Sequence, residues 1–146
     1  MTIKRNKDEN TTIAELRNEI INFRDRRKWK KYNTIKDLAM SIVIEMGELM
    51  EHFQWKSEDL IQKSLKNKEQ FKEIQHEFAD VINYLLTLSE ELGVDIVSAV
   101  NEKLAIQEKK FPVSKMISWE KMKEEDVWLS YQKIRKQHRL EKLNNG

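Results

Sequence analysis

An all-α fold, a four-helix bundle with one additional C-terminal helix, follows from three observations on the sequence. Three Gly and one Pro in 146 residues leave little turn material for a β fold. Apolar residues recur every three or four positions over long stretches, the period of a helix with one buried face. Each stretch opens on a residue able to cap a helix or closes on one able to stop it.

Residues 1–11 are polar and are expected to be disordered. Thr12-Ile13-Ala14-Glu15 reads as a capping box, and Ile13, Leu16, Ile20 and Phe23 continue at helical spacing, so a first helix runs to about Trp29. The basic stretch at 24–31 ends it, either as a helix end favoured by the helix dipole or as an attraction for a polyanion. Thr34 caps a second helix with Asp37 three residues later, and its stripe is Ile35, Leu38, Ile42, Met46, Leu49 and Phe53. That helix ends near Gln54-Trp55, and Ser57 caps a short helix through Leu65.

After a polar turn at Asn67, a third long helix runs from about Glu69 to Leu92, with Phe71, Ile74, Phe78, Val81, Leu85 and Leu88 on its stripe and Gly93 as its stop. Asp95 caps a fourth, through Ala99, Val100, Leu104 and Ile106 to about Lys110, which Pro112 prevents from continuing. These elements place the bundle in residues 12–112. Residues 113–146 form a separate extension, with Ser118 capping one last helix from Trp119 to about Leu143.

Composition narrows the function. A net charge of +2 gives no global argument for nucleic acid or an acidic membrane surface. With no cysteine there is neither a disulfide nor a zinc–thiolate site. No stretch has the length of a transmembrane helix and the N-terminus lacks the apolar core of a signal peptide, so a cytoplasmic protein is expected.

The chemistry lies in two acidic motifs, Glu45-Met46-Gly47-Glu48 and Glu77-Phe78-Ala79-Asp80. In each, two carboxylates three residues apart share one helix face. Ile42 and Leu49 bracket Glu45, and Ile74 and Val81 bracket Glu77, so both pairs interrupt apolar stripes and are expected to point toward a core. An ionised carboxylate there is costly unless paired or bound to metal. If the second and third long helices pack antiparallel, four carboxylates converge, and such a cluster suits Mg²⁺ or Mn²⁺ completed by water and phosphate oxygens.

The string Glu45-Met46-Gly47-Glu48-Leu49-Met50-Glu51-His52-Phe53-Gln54-Trp55, with Glu77-Phe78-Ala79-Asp80-Val81-Ile82-Asn83-Tyr84-Leu85, resembles the MazG-like all-α nucleoside triphosphate pyrophosphohydrolases, most nearly their dCTP pyrophosphatase branch. The resemblance covers residues 12–112 and implies a MazG-like bundle. It also implies Mg²⁺-dependent hydrolysis of dCTP or a related nucleoside triphosphate to the monophosphate and pyrophosphate, a nucleotide-pool sanitation activity. By the same resemblance Glu45, Glu48, Glu77 and Asp80 hold the metal, and Trp29 and Trp55 surround the base; Tyr84, one turn after Asp80, either joins the base-binding residues through a hydrogen bond or closes the core. Glu48 or Glu51 takes the proton of the attacking water. The resemblance also implies that Lys103 and Lys110 grip phosphates from the closing helix, where the Gln107 amide is a further candidate. Relatives often have Asn where this chain has Gln107, Tyr where it has Phe111, and Glu where it has Ile44, a position that reads here as buried core.

Assembly is legible as well. On the third long helix Val81, Ile82, Leu85, Leu86 and Leu88 span more than one stripe, and a second apolar face asks for a partner. An identical chain is the simplest, and the resemblance implies the same, with sites near subunit interfaces: a homo-oligomer is expected, a tetramer in preference to a dimer.

Two other classes compete. A ferritin-like di-metal oxidoreductase needs two Glu-x-x-His motifs, and this chain offers one, Glu73-Ile74-Gln75-His76, whose His76 projects about 100° from Glu77 around the helix. A non-enzymatic helical module would use the basic tail on nucleic acid, since five Lys or Arg stand against one Glu from Val127 onward.

Overall fold

A computed structural model describes residues 7–144, and among them there are helices and no strand. Seven α-helices follow in order: α1 (Ile13–Arg26), α2 (Ile35–Glu51), α3 (Glu58–Lys66), α4 (Lys68–Leu92), α5 (Ile96–Lys110), α6 (Val113–Trp119) and α7 (Glu124–Asn144). None is long and apolar enough to cross a membrane. The disorder expected of residues 1–11 falls partly outside the described residues; Asp8–Asn10 make one 3₁₀ turn. The chain divides into two compact units, residues 1–96 and 97–146.

In the first unit the helix starts are made by local hydrogen bonds. Thr12 Oγ1 accepts from the Glu15 N–H at 3.1 Å while Glu15 Oε2 accepts from the Thr12 N–H at 2.8 Å, which is the capping box. Thr34 Oγ1 accepts from the Asp37 N–H at 3.2 Å, and Asn67 Oδ1 from those of Glu69 and Gln70 at 3.0 and 3.1 Å. Gly93, at φ +65°, ends α4: its N–H bonds to the Glu90 carbonyl and that of Val94 to the Ser89 carbonyl, a Schellman pair that needs the left-handed residue.

Two helix ends fall short of the expected ones. α1 stops at Arg26, because Lys28 turns left-handed at φ 56° and a 3₁₀ turn, Trp29–Tyr32, folds the Trp29 ring edge-on against Phe23, 6.0 Å between centroids. α2 stops at Glu51, and residues 52–55 form a turn that ends on Trp55 at φ 65°. Ser57 occupies the cap position of α3 but makes no side-chain cap bond.

The closest packing is of α2 on α4, with α1 and α3 also against α4. Leu38 of α2 and Ile74, Val81 and Leu86 of α4 are the buried apolar residues. Leu49 of α2 and Phe53 of the turn after it line one hollow with Phe71, Ile74 and Phe78 of α4, while Glu45 and Glu48 meet Glu77, so the two helices run antiparallel. Ile44, expected in the core, is exposed instead: with Met40, Val43 and Met50 it lies on the α2 face turned away from α4. The expected α4 stripe likewise buries only Ile74 and Val81, leaving Phe71, Phe78 and Leu85 exposed.

The second unit holds nearly all of α5, the expected fourth bundle helix, together with α6 and α7. Here Ser118 does not cap the last helix. It lies in the final turn of α6, donating to the Lys115 carbonyl at 2.6 Å, and α7 begins at Glu124, where Glu124, Glu125 and Asp126 suit the positive end of a helix dipole. Tyr131 stacks on Phe111 at 5.7 Å and on Trp128 at 5.9 Å, which gives Phe111 a packing role in this unit.

Candidate active site

Helix spacing puts Glu45 and Glu48 on one face of α2, and Glu77 and Asp80 on one face of α4. The antiparallel packing of the two helices turns these faces toward each other. Glu45, Glu77 and Asp80 are half-buried and Glu48 is exposed. One carboxylate oxygen each from Glu45, Glu48 and Glu77 lies within 4.8 Å of the others. Asp80 stands outside that tight group and accepts from the Asn83 amide at 3.4 Å, yet it is near enough to act on Glu45. Among the described residues none of the four forms an ion pair with a lysine or arginine.

The electrostatic consequence falls on Glu45. Burial pushes its carboxyl above the usual range, and the negative charges of Glu48, Asp80 and Glu77 push it further. Clustered carboxylate oxygens that repel one another, with no lysine or arginine paired to them among the described residues, fit a hard divalent ion, which would bring positive charge and oxygen coordination together.

Beside the cluster opens a cleft of about 440 Å³ lined by Glu48, Glu51, His52, Lys56 and Glu77. Glu51, on the last turn of α2, therefore shares the cleft with two of the clustered acids. His52 and Lys56 were not among the expected site residues. Sequence spacing gave no signal for Lys56, because α2 ends at Glu51 and the left-handed turn at Trp55 takes the chain off the helix before it. His76 is exposed on α4 and has no place in the carboxylate group, which removes the support for a Glu-x-x-His metal pair. A second hollow of about 450 Å³, lined by Leu49, Phe53, Phe71, Ile74, Gln75 and Phe78, is mainly apolar.

The expected base-binding residues are not gathered on the cleft wall. Trp29 is half-exposed against Phe23, with the Arg27 guanidinium 3.4 Å above the Phe23 ring. Trp55 is 92% exposed. Tyr84 is half-buried one turn beyond Asp80. Of the phosphate candidates, Lys103 and Gln107 are exposed on α5, and the Lys110 ammonium lies 5.2 Å from the Phe111 ring centroid; all three belong to the second unit.

The chain is similar to known proteins over the region that builds this cluster. It is 30% identical over 102 residues to dCTP pyrophosphatase 1 of Rattus norvegicus, which is 70% of this chain and 60% of that protein. The Homo sapiens protein of the same name is 30% identical over 101 residues, 69% of this chain and 59% of that one. The chain thus spans about 60% of the length of the curated relatives it matches. A crystal structure of a pyrophosphatase from Archaeoglobus fulgidus superposes with a TM-score of 0.63 at 38% identity, covering 76% of this chain and 99% of that one. The MazG-like family model matches residues 40–125, more than half of the chain and the part that carries both acidic pairs, and the chain belongs to the MazG-like family.

Proposed function

We propose that this chain is a Mg²⁺-dependent nucleoside triphosphate pyrophosphohydrolase that releases a nucleoside monophosphate and pyrophosphate. The observation that carries the reading is the group of converging carboxylates on α2 and α4 that no lysine or arginine neutralises among the described residues. A triphosphate is itself an anion, and such a cluster receives it only with cations between them. Glu45, Glu48, Glu77 and Asp80 would hold Mg²⁺, with Mn²⁺ as a substitute of similar oxygen preference. A bound ion of this kind polarises phosphoryl oxygens and lowers the pKa of water.

The chain's own residues divide the remaining work. Glu48 is one of the three converging acids, whereas Glu51 lines the cleft outside that group. Glu51 is therefore assigned the proton of the attacking water and Glu48 the ligand role. The water oxygen bonds to the α phosphorus, the bond from that phosphorus to the α–β bridging oxygen breaks, and pyrophosphate leaves with the bridging oxygen. Trp29 and Trp55 offer flat faces to the base and Tyr84 a hydroxyl. The activity named for the rat and human relatives makes dCTP or a related deoxynucleotide the first substrate to try.

A screen of deoxy- and ribonucleoside triphosphates with Mg²⁺, its products resolved by phosphorus NMR, tests the reading. Monophosphate plus pyrophosphate is expected; orthophosphate plus a diphosphate refutes it. Trp55→Ala is expected to weaken binding of a non-hydrolysable nucleotide by about 1–3 kcal/mol, read by calorimetry. Unchanged affinity in that variant removes Trp55 from the base site.

A homo-oligomer, a tetramer in preference to a dimer, belongs to the same reading. Its support is the exposed α2 stripe of Met40, Val43, Ile44 and Met50, with Val43 71% exposed, an apolar face at helical spacing that a second copy would cover. A fully active 17.6 kDa monomer in sedimentation equilibrium refutes it.

A further inference from the structure

We propose that Lys56 is the phosphate-gripping residue of the acidic cleft, taking the β and γ phosphates of the substrate and then the pyrophosphate product, with Ser64 as the residue that positions it. The assignment rests on the triphosphate reading above. Lys56 lines the cleft with Glu48, Glu51 and Glu77, and apart from His52 it is the cleft's one basic side chain.

Its surroundings are built rather than accidental. The Lys56 ammonium donates to Ser64 Oγ at 3.5 Å, a long bond. Ser64 is buried on α3, and its own hydroxyl donates to the Leu60 carbonyl at 3.1 Å, so the acceptor is fixed by the α3 backbone. An ammonium has three donors, and this contact uses one. Among the described residues Lys56 makes no ion pair, although three carboxylates share its cleft. The backbone turns sharply just before it. Trp55, immediately before it, holds a left-handed conformation at φ 65° that a bulky side chain rarely adopts, and the Lys56 N–H bonds back to the Phe53 carbonyl at 3.1 Å. The turn brings the lysine back from the end of α2 to α3 instead of leaving it free in solvent.

The chemistry follows from the charges. The carboxylates would hold cations and would repel whatever phosphate oxygens those cations leave unneutralised. A lysine a short way along the same cleft supplies a compact positive charge with free donors, the type of group that holds a phosphate as a point charge. The nucleoside and its α phosphate belong at the carboxylates, where the bond is cut, and the outer phosphates extend toward Lys56. The residue therefore discriminates a triphosphate from a monophosphate.

The test is product binding. Lys56→Met is expected to weaken magnesium pyrophosphate binding by about tenfold, the scale of one hydrogen bond to a charged group, read by calorimetry. Nucleoside monophosphate and Mn²⁺ affinities are expected to stay within twofold of wild type, the latter read by electron paramagnetic resonance of free Mn²⁺. Lys56→Arg is expected to restore most of the pyrophosphate affinity, and Ser64→Ala to lose part of it with Lys56 still present. Circular dichroism of each variant checks the fold. Equal pyrophosphate affinity in wild type and Lys56→Met overturns the assignment, as does an equal loss of monophosphate and Mn²⁺ binding or a failure of Lys56→Arg to restore affinity. A wild-type protein that cleaves no triphosphate, yet loses pyrophosphate affinity on Lys56→Met, defeats the functional reading and leaves the anion site standing.

Discussion

The middle of α4 and its C-terminal end carry the same residue type under opposite electrostatic conditions. At the C-terminal end, Glu91 Oε1 accepts from Arg24 Nη1 at 2.6 Å and lies 4.0 Å from the Lys30 ammonium, and Glu90 is 3.5 Å from Arg17 Nε. Arg24, only 5% exposed, also donates from Nε to Asp25 at 2.7 Å. Burial alone lowers the pKa of this guanidinium, but the hydrogen bonds and charges of Asp25 and Glu91 outweigh it and leave it raised. The hydrogen bond from Arg24 holds Asp25 below the usual carboxylate range. Some three turns earlier, Glu77 and Asp80 face two further carboxylates and no basic partner among the described residues. A chain with 27 Lys and Arg has cations enough to pair both groups. One end of the helix is closed electrostatically by the chain itself, and the middle is left open for positive charge from outside it.

The strongest way to break this contrast is to remove a charge from the open group. Glu45→Gln or Asp80→Asn is expected to lower kcat/KM for a triphosphate by about a thousandfold, the several kcal/mol of charge stabilisation that a metal supplies, with the helical circular dichroism unchanged. Activity persisting in either variant with a chelator present would put the two regions on the same footing. At the closed end the expected effect is on folding: Glu91→Ala strands part of a buried guanidinium and is expected to cost about 2–3 kcal/mol in urea denaturation. No loss would show that Asp25 suffices for Arg24.

Smaller effects sharpen the comparison. Glu77→Gln relieves repulsion in the metal-free protein and is expected to stabilise it by about 0.5–1 kcal/mol, while weakening Mn²⁺ binding. Destabilisation of the metal-free protein would mean that Glu77 has a cationic partner in solution. The pH dependence has a definite sign. Glu45 is raised in the fold, so between its unfolded and folded pKa values the native state holds more protons than the unfolded chain. That contribution to stability is fully present below the unfolded value and is lost as pH rises through the folded one. In chelator the melting temperature is expected to carry a component that falls over this window, and Mn²⁺ is expected to offset it while binding less tightly at lower pH. A rising component at Glu45, followed by its carboxyl carbon resonance, would reverse the assignment.

How far the sequence reaches can be read from particular residues. Thr12, Thr34, Asn67 and Gly93 end their helices as their neighbours in sequence require, because a cap is completed by hydrogen bonds to backbone three to five residues away. Glu45 with Glu48 and Glu77 with Asp80 share faces for the same local reason. Where two apolar patterns compete, the sequence alone is insufficient. Ile44 belongs to a stripe as regular as that of Leu38 and Ile42, and only the position of α4 decides that one stripe is core and the other exposed. The break between α6 and α7 was hidden because Ser118 is equally able to cap a following helix or to bond back to Lys115 within its own.

By itself, then, the sequence determined a helical chain, most of its helix ends, and two carboxylate pairs set into apolar faces. Each of these depends on backbone bonds and side-chain spacing within a few residues. The packing of α2 against α4 decided that Glu45, Glu48 and Glu77 converge, that Glu45 holds its proton more tightly, and which side chains share a cleft with them. Charge–charge repulsion and desolvation act through space, so they exist only once residues some thirty positions apart in the chain have been folded together.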